Sequence, residues 1–196
     1  MVKYNLRAFG STILGLAFGT YIILFLLNQN LSSIKFDTAF KDISTTISIN
    51  LIIWTLFVKW FWKIKIFYPW LVPFPDLSGN WEGIIISTWQ DKIQNPISIS
   101  IQITQTFFNT QIKIQSNESN SFSVAASFDI DKERGLQQLY YSYINIPKTS
   151  IRERSQIHYG TTLLQFSGFN VTSMEGEYWT SRKTIGEIKL NKIKVA

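Results

Sequence analysis

The chain places aromatic, amide, hydroxyl and guanidinium side chains at two-residue spacing in three segments. These side chains are Trp81 and Gly83 in the first segment, Tyr141, Tyr143 and Asn145 in the second, and Tyr178, Thr180 and Arg182 in the third. Residues at this spacing point to the same side of a regular strand. Aromatic rings stack on bases, arginine pairs with phosphate, and hydroxyl or amide groups hydrogen-bond to base edges. The set suits a nucleotide-sized ligand, although the same rings could instead fill a barrel while Arg182 caps a surface hairpin.

The residue types needed for common catalytic sites are scarce. The sequence has no cysteine and one histidine, His158, which excludes disulfides, cysteine nucleophiles and Cys/His metal clusters. It contains no G-x-S-x-G elbow, P-loop or dinucleotide fingerprint. Asp76 with Glu187-Ile188-Lys189 only weakly resembles a nuclease pattern. We therefore expect no enzymatic activity, no metal and no cofactor.

The residues after Pro75 alternate between apolar and polar types, which is typical of strands with one buried face. The clearest example is Ile97–Thr104, in which isoleucine occupies every second position. The predicted strands are Gly79–Thr88, Pro96–Thr106, Thr110–Ser116, Ser121–Ile130, Leu136–Ile146, Tyr159–Phe166, Met174–Ser181 and Thr184–Lys192. Hairpin-length connections favour an eight-stranded antiparallel up-and-down β-barrel over residues 76–196, with a sandwich as the alternative. Eight strands enclose packed side chains or one small ligand.

Two apolar segments precede the barrel. Residues 8–27 are twenty residues without a charge, the length of a membrane-spanning helix and longer than the apolar region of a signal peptide. Residues 43–62 are uncharged up to Val58, and aromatic residues then alternate with Lys59, Lys63 and Lys65 as at a membrane interface. We predict a two-helix transmembrane hairpin in residues 1–67, followed by a proline-rich linker at 68–75. A buried core helix is the alternative for the second segment.

The net charge of +6 lies mainly beside these helices. Residues 1–75 hold seven Lys/Arg against two Asp, and residues 76–196 hold twelve against eleven Asp/Glu. Positive charge at helix flanks suits anionic lipid and gives little reason to expect binding to a nucleic-acid polymer. By the positive-inside rule, both termini and the barrel lie in the cytoplasm.

Both helices carry faces suited to helix contact. Small residues that include Gly15 and Gly19 recur along the first helix, and Asn50 shares a face of the second with Thr46 and Trp54. Small residues allow close helix approach, and an amide in hydrocarbon needs a partner. These contacts form either within one hairpin or between subunits.

Six segments resemble the motifs of one protein family. They are L-x-G-x-W-x-G at Leu77–Gly83, I-x-I-x-Q-T at Ile101–Thr106, a serine-spaced turn at Glu118–Ser123, L-x-Y-x-Y-x-N-x-P at Leu139–Pro147, H-x-G-T at His158–Thr161, and G-E-Y-W-T-x-R-x-T-x-G at Gly176–Gly186. Their order after a two-helix anchor resembles the two-transmembrane, β-strand-rich effectors associated with bacterial CD-NTases in CBASS antiphage systems. The resemblance spans nearly the whole chain.

The resemblance implies a mechanism of antiphage defence. A CD-NTase makes a cyclic dinucleotide on infection, the effector barrel binds it, subunits associate in the bacterial inner membrane, and loss of membrane integrity kills the cell before phage matures. The expected ligand-binding residues are Trp81, Tyr141, Tyr143, His158, Tyr178, Thr180 and Arg182, and the expected oligomerisation residues are Gly15, Gly19 and Asn50. The alternative is a membrane-tethered barrel that binds lipid or a partner protein and has no killing role.

Overall fold

The computed structural model describes residues 6–28, 36–89, 92–93, 95–131 and 133–193. The chain divides into two compact units, a helical unit of residues 4–73 and a β unit that comprises chiefly residues 74–196.

The helical unit contains two long helices, α1 (Leu6–Asn28) and α2 (Phe36–Lys59). The stretches Arg7–Asn28 and Asp37–Lys59 are long and apolar enough to cross a membrane. Two 3-10 turns, Phe61–Lys63 and Lys65–Phe67, follow α2. The second helix therefore begins before the apolar run at residue 43, because its polar first turns include Asp37, which is favourable at a helix N-terminus.

Two side-chain hydrogen bonds join the helices in an antiparallel register. Asn28 Nδ2 donates to Asp42 Oδ1 at 2.8 Å, and Asn50 Nδ2 donates to Thr20 Oγ1 at 2.8 Å. Asn50 Nδ2 also donates to the Thr46 carbonyl within its own helix at 2.9 Å. Asn50 therefore has a hydrogen-bond partner within the hairpin. This is one of the two alternatives that the sequence left open.

The β unit is a closed barrel of antiparallel strands. In the described residues these are β1 (Gly79–Trp89), β2 (Lys92–Ile93), β3 (Ile97–Gln105), β4 (Thr110–Ser116), β5 (Ser119–Asp131), β6 (Leu136–Pro147), β7 (His158–Gln165), β8 (Ser173–Thr180) and β9 (Ile185–Lys192). The long strands pair in sequence order, and β1 pairs with β9 to close the sheet, while the two-residue β2 only extends the end of β1. The prediction of an eight-stranded up-and-down barrel is confirmed, and the sandwich is excluded.

Apolar side chains fill the end of the barrel at which the chain enters. Trp81 is completely buried, and its indole Nε1 donates to the Leu77 carbonyl at 3.0 Å. Gln105, which is also buried, fixes the entering chain, because its side chain accepts from Leu77 N at 2.7 Å and donates to the Pro75 carbonyl at 3.1 Å. In the described part of the chain, this end of the barrel, which we call the floor, is therefore filled by packed side chains.

A β-bulge interrupts the regular alternation in β5. Ser123 pairs with Tyr143 and Ala125 pairs with Ser142, which leaves Val124 without a cross-strand partner. An extra residue of this kind reverses the facing of all residues after it. Both Ser121 and Phe128 are buried, although one residue number is odd and the other is even, because the bulge lies between them.

Candidate functional site

A cavity of about 700 Å³ opens at the end of the barrel opposite the floor. We call it the mouth cavity. Its lining includes five of the seven predicted ligand-binding residues, together with Asn145 from the same strand pattern: Tyr143, Asn145, His158, Tyr178, Thr180 and Arg182. Pockets that take small ligands have volumes of roughly 300–1,000 Å³. The mouth cavity is therefore large enough for a ligand of nucleotide or dinucleotide size.

Two tyrosine rings in the cavity pack against glycines of neighbouring strands. A Cβ atom at Gly160, which pairs with Tyr143, would lie 2.4 Å from Cζ and Oη of that tyrosine. A Cβ atom at Gly186, which pairs with Tyr178, would lie 2.6 Å from Cε1 of its ring. Tyr143 is only 6% exposed and Tyr178 only 8%. The glycines thus create the space in which the two rings lie against the barrel wall.

Burial also sets the protonation state of these phenols. Removal from water disfavours phenolate and raises the pKa of Tyr143 and of Tyr178 above its usual value, with the Ser87 hydroxyl partly offsetting the rise for Tyr178. Both groups therefore remain neutral at physiological pH. A neutral phenol donates a hydrogen bond and offers an uncharged ring face for stacking.

Arg182 lies in the turn between β8 and β9, and its side chain extends to the connection between β6 and β7. The Thr180 hydroxyl accepts from the backbone amides of Arg182 and Thr184, each at 3.3 Å, and so closes this turn. The guanidinium of Arg182 donates through Nη1 to the Ser155 hydroxyl at 2.7 Å. Thr180 rather than Arg182 therefore caps the hairpin, and the arginine side chain lines the cavity.

His158 is held as a neutral imidazole beside Asn145. Burial and the positive charge of Arg182 lower the pKa of His158, although a hydrogen bond to Gln156 partly opposes this. The neutral ring donates from Nδ1 to the Gln156 carbonyl at 2.8 Å and accepts at Nε2 from Asn145 Nδ2 at 3.4 Å. Asn145 Oδ1 is buried and accepts no hydrogen bond from the described residues. It can therefore accept from a donor on a ligand.

The rim of the cavity comes from irregular segments that strand periodicity did not identify. The connection between β6 and β7 contains a 3-10 turn at Thr149–Ile151 and contributes Arg154 and Ser155 to the lining. In the neighbouring turn between β4 and β5, Ser116 Oγ accepts from the amides of Glu118 and Ser119 at 3.2 and 3.0 Å. The resemblance pointed to this serine turn, but nothing in the spacing of residues indicated Arg154.

Two predicted ligand-binding residues lie outside the mouth cavity. Trp81 occupies the floor, near the start of β1, whereas this strand lines the cavity with Ile85 and Ser87. Tyr141 is 2% exposed and lies one inward position deeper than Tyr143. Both face the barrel interior, as their spacing indicated, but at levels too deep to reach the cavity.

The predicted oligomerisation residues lie on the helices. Apart from the backbone of α1 itself, no atom of the described residues comes within 4 Å of a Cβ atom built at Gly15 or Gly19; Gly15 is exposed and Gly19 is half-buried. The described structure therefore leaves space for a further contact beside these two glycines. In the described part of the chain, no group of three or more metal-ligating side chains occurs.

Comparison with known proteins agrees with this architecture. The sequence profile described as "Cap15, cyclic dinucleotide receptor domain" matches residues 72–192, which include every strand of the barrel. The chain is 32% identical over 174 residues to CD-NTase-associated protein 15 of Staphylococcus schleiferi, over 88% of this chain and 91% of that protein. It is 32% identical over 130 residues to CD-NTase-associated protein 15 of Yersinia aleksiciae, over 62% of this chain and 57% of that protein. With two apolar helices before a closed eight-stranded barrel, the chain belongs to the Cap15 family of two-transmembrane β-barrel CBASS effectors, as its motifs predicted.

Proposed function

We propose that this protein is a CBASS effector whose mouth cavity binds a cyclic dinucleotide made by a partner CD-NTase. The match of the cyclic dinucleotide receptor profile to residues 72–192 is the observation that carries the proposal. The cavity volume and the chemistry of its lining support it, because an arginine, two tyrosine rings and an open amide acceptor converge there. No catalytic step is required, since the ligand acts by binding.

Each lining residue has a role that follows from its position. Tyr143 and Tyr178 stack on the two bases, with their rings held by the neighbouring glycines. Arg182 pairs with a phosphodiester and gives up its hydrogen bond to Ser155. Asn145 Oδ1 accepts from a base edge, and Thr180 keeps the arginine-bearing turn in place. The neutral His158 adds no positive charge and orients Asn145.

Ligand binding is proposed to drive association of the helices in the bacterial inner membrane. Both termini lie in the cytoplasm, where the barrel meets the ligand. The open face of α1 around Gly15 and Gly19 supplies a surface for close contact between subunits. Shifting an assembly equilibrium from 1:99 to 99:1 requires about 5.5 kcal/mol of differential binding, which a well-formed nucleotide site can provide. The assembled helices then disrupt the lipid bilayer and end the infection.

Co-expression in bacteria tests this function. The full-length protein should be harmless alone and should depolarise the inner membrane, detected with a potential-sensitive dye, only when an active CD-NTase that supplies its cyclic dinucleotide is present. Arg182→Ala should remove the effect while the protein remains in the membrane fraction. Depolarisation that does not depend on nucleotide synthesis would contradict the proposal and favour a tethered barrel with another partner.

A further inference from the structure

Two arginines at the mouth are connected to the same irregular segment. Residues 148–157 join β6 to β7, and we call them the rim loop. The rim loop carries Arg154, and its Ser155 accepts a hydrogen bond from Arg182 at 2.7 Å. Arg154, Ser155 and Arg182 all line the mouth cavity. The proposed function uses only Arg182, so the role of Arg154 remains to be assigned.

Arg154 pairs with a carboxylate on the neighbouring turn at the mouth, because β5 and β6 are paired from Ser119 and Pro147. Its Nη2 donates to Oε1 of Glu118, which lies in the turn between β4 and β5. The two side chains are 65% and 56% exposed. An ion pair with this exposure is weak, because water solvates both charges well. It can be exchanged readily for a stronger contact.

A cyclic dinucleotide carries two phosphodiester groups and therefore two negative charges. Arg182 can neutralise one of them. Among the described lining residues, the second guanidinium is that of Arg154, and Glu118 is the carboxylate that occupies it. The positive charge of the cavity thus matches the ligand only when Arg154 leaves Glu118.

We propose that Arg154 is a second phosphate-binding residue and that it stays paired with Glu118 until the ligand binds. On binding, Arg154 exchanges the Glu118 carboxylate for one phosphodiester, while Arg182 exchanges Ser155 for the other. This inference rests on the proposed function and deepens it. A ligand with a single phosphodiester can bind only one of the two arginines, so this pair of residues favours cyclic dinucleotides.

Hydrogen bonds that do not take part in this exchange hold the rim loop in place. Lys148 N donates to the Glu118 carbonyl at 2.8 Å, and Arg152 Nη2 donates to the Pro147 carbonyl at 3.3 Å. Neither bond involves the groups that are exchanged. The backbone amides of Arg154 and Ser155 also donate to the Ile151 carbonyl, at 3.2 and 3.0 Å, so the exchange requires movement of the side chains and not of the loop backbone.

A charged hydrogen bond to phosphate strengthens binding about tenfold to a hundredfold, whereas an exposed ion pair opposes it by at most about fivefold. Calorimetry of the full-length protein in detergent, with cyclic di-GMP, cyclic di-AMP, cyclic GMP-AMP and cyclic UMP-AMP as probes, should therefore give three results for the probe that binds best. Arg154→Gln weakens binding by at least tenfold. Glu118→Gln strengthens it by about two- to fivefold. In the Arg154→Gln background, Glu118→Gln has no further effect.

Two additional variants separate a phosphate contact from a structural role. Arg154→Lys should restore part of the lost affinity, and added salt should weaken binding less in Arg154→Gln than in the wild type. Arg134→Gln is the matched control, because Arg134 is exposed to a similar extent, 71%, and also pairs with a carboxylate, that of Asp131, in the turn between β5 and β6, away from the cavity. This control should bind like the wild type.

The outcomes distinguish the inference from the function on which it rests. If the wild type binds a probe and Arg182→Ala weakens binding, but Arg154→Gln behaves like Arg134→Gln, Arg154 is not a phosphate ligand and the inference is overturned. If Glu118→Gln still strengthened binding in the Arg154→Gln background, Glu118 would act by repelling the ligand phosphates directly. That result would overturn the proposal that Glu118 competes with the ligand for Arg154. Failure of the folded wild type to bind any probe would instead overturn the proposed function.

Discussion

The substitution Gly160→Ala tests how the cavity holds the ring of Tyr143. The new methyl carbon would lie 2.4 Å from Cζ and Oη of this tyrosine, whereas nonbonded carbon atoms prefer about 3.5–4.0 Å. The ring must therefore retreat by roughly 1 Å. Because Tyr143 is 6% exposed and packs against Tyr141 with ring centroids 6.0 Å apart, the displaced ring intrudes on the mouth cavity. We expect a lower free energy of unfolding and weaker ligand binding.

The size of both effects follows from the geometry. Overpacking of a filled interior lowers the free energy of unfolding by about 1–3 kcal/mol. Loss of one base-stacking contact weakens binding by about 1–3 kcal/mol. Thermal unfolding of the full-length protein in detergent measures the first effect, and calorimetry with a cyclic dinucleotide measures the second.

A double-mutant cycle provides the control for Gly160→Ala. In a Tyr143→Ala background the methyl group has no ring to displace, so Gly160→Ala should leave the free energy of unfolding nearly unchanged. A coupling free energy close to the full effect of the single substitution would confirm that Gly160 leaves the space that this ring occupies. An equally large loss of stability in both backgrounds would refute the reasoning and place the strain in the backbone.

Two further predictions concern titration and membrane association. Because burial and Arg182 lower the pKa of the chain's single histidine, His158, the barrel should lose stability as the pH falls from about 6.5 through the lower pKa of the folded state. Thermal unfolding between pH 7.5 and 5 should show this loss in the wild type and a smaller one in His158→Asn; parallel losses would contradict it. Asn50→Leu, which removes the hydrogen bond to Thr20 inside the hairpin, and Gly15→Leu, which fills the open face of α1, should leave cyclic dinucleotide affinity unchanged and reduce toxicity on co-expression with a CD-NTase; full toxicity in both variants would show that assembly requires neither the hairpin contact nor the glycine face.

The barrel could be predicted because its strands obey a simple rule. Isoleucine at every second position of β3 places four side chains on one face, and Ile99, Ile101 and Ile103 are buried as expected. Hydropathy did not predict the start of α2, because the first two turns of this helix contain Asp37 and Asp42. Asp42 is nevertheless 2% exposed and accepts from Asn28, a contact visible only once the two helices are paired.

Alternation predicted which side chains face inward but not how deep they lie. Trp81 and Tyr141 obey the inward pattern, yet the cavity opens several residues further along β1 and one inward position further along β6. Arg154 could not be found by any periodicity, because it lies on the irregular rim loop. Its proposed role depends on Glu118, which is 36 residues away in sequence and comes close to it only because β5 pairs with β6.

The most direct test of the central claim is the binding of cyclic dinucleotides to the full-length protein, measured by calorimetry in detergent with a panel of such ligands. We predict one-to-one binding of one member at micromolar affinity or tighter, equivalent to about −8 kcal/mol, and at least tenfold weaker binding by Arg182→Ala with an unchanged melting temperature. No heat of binding from a folded protein across the panel, or equal affinity in Arg182→Ala, would contradict the assignment of the mouth cavity as the cyclic dinucleotide site.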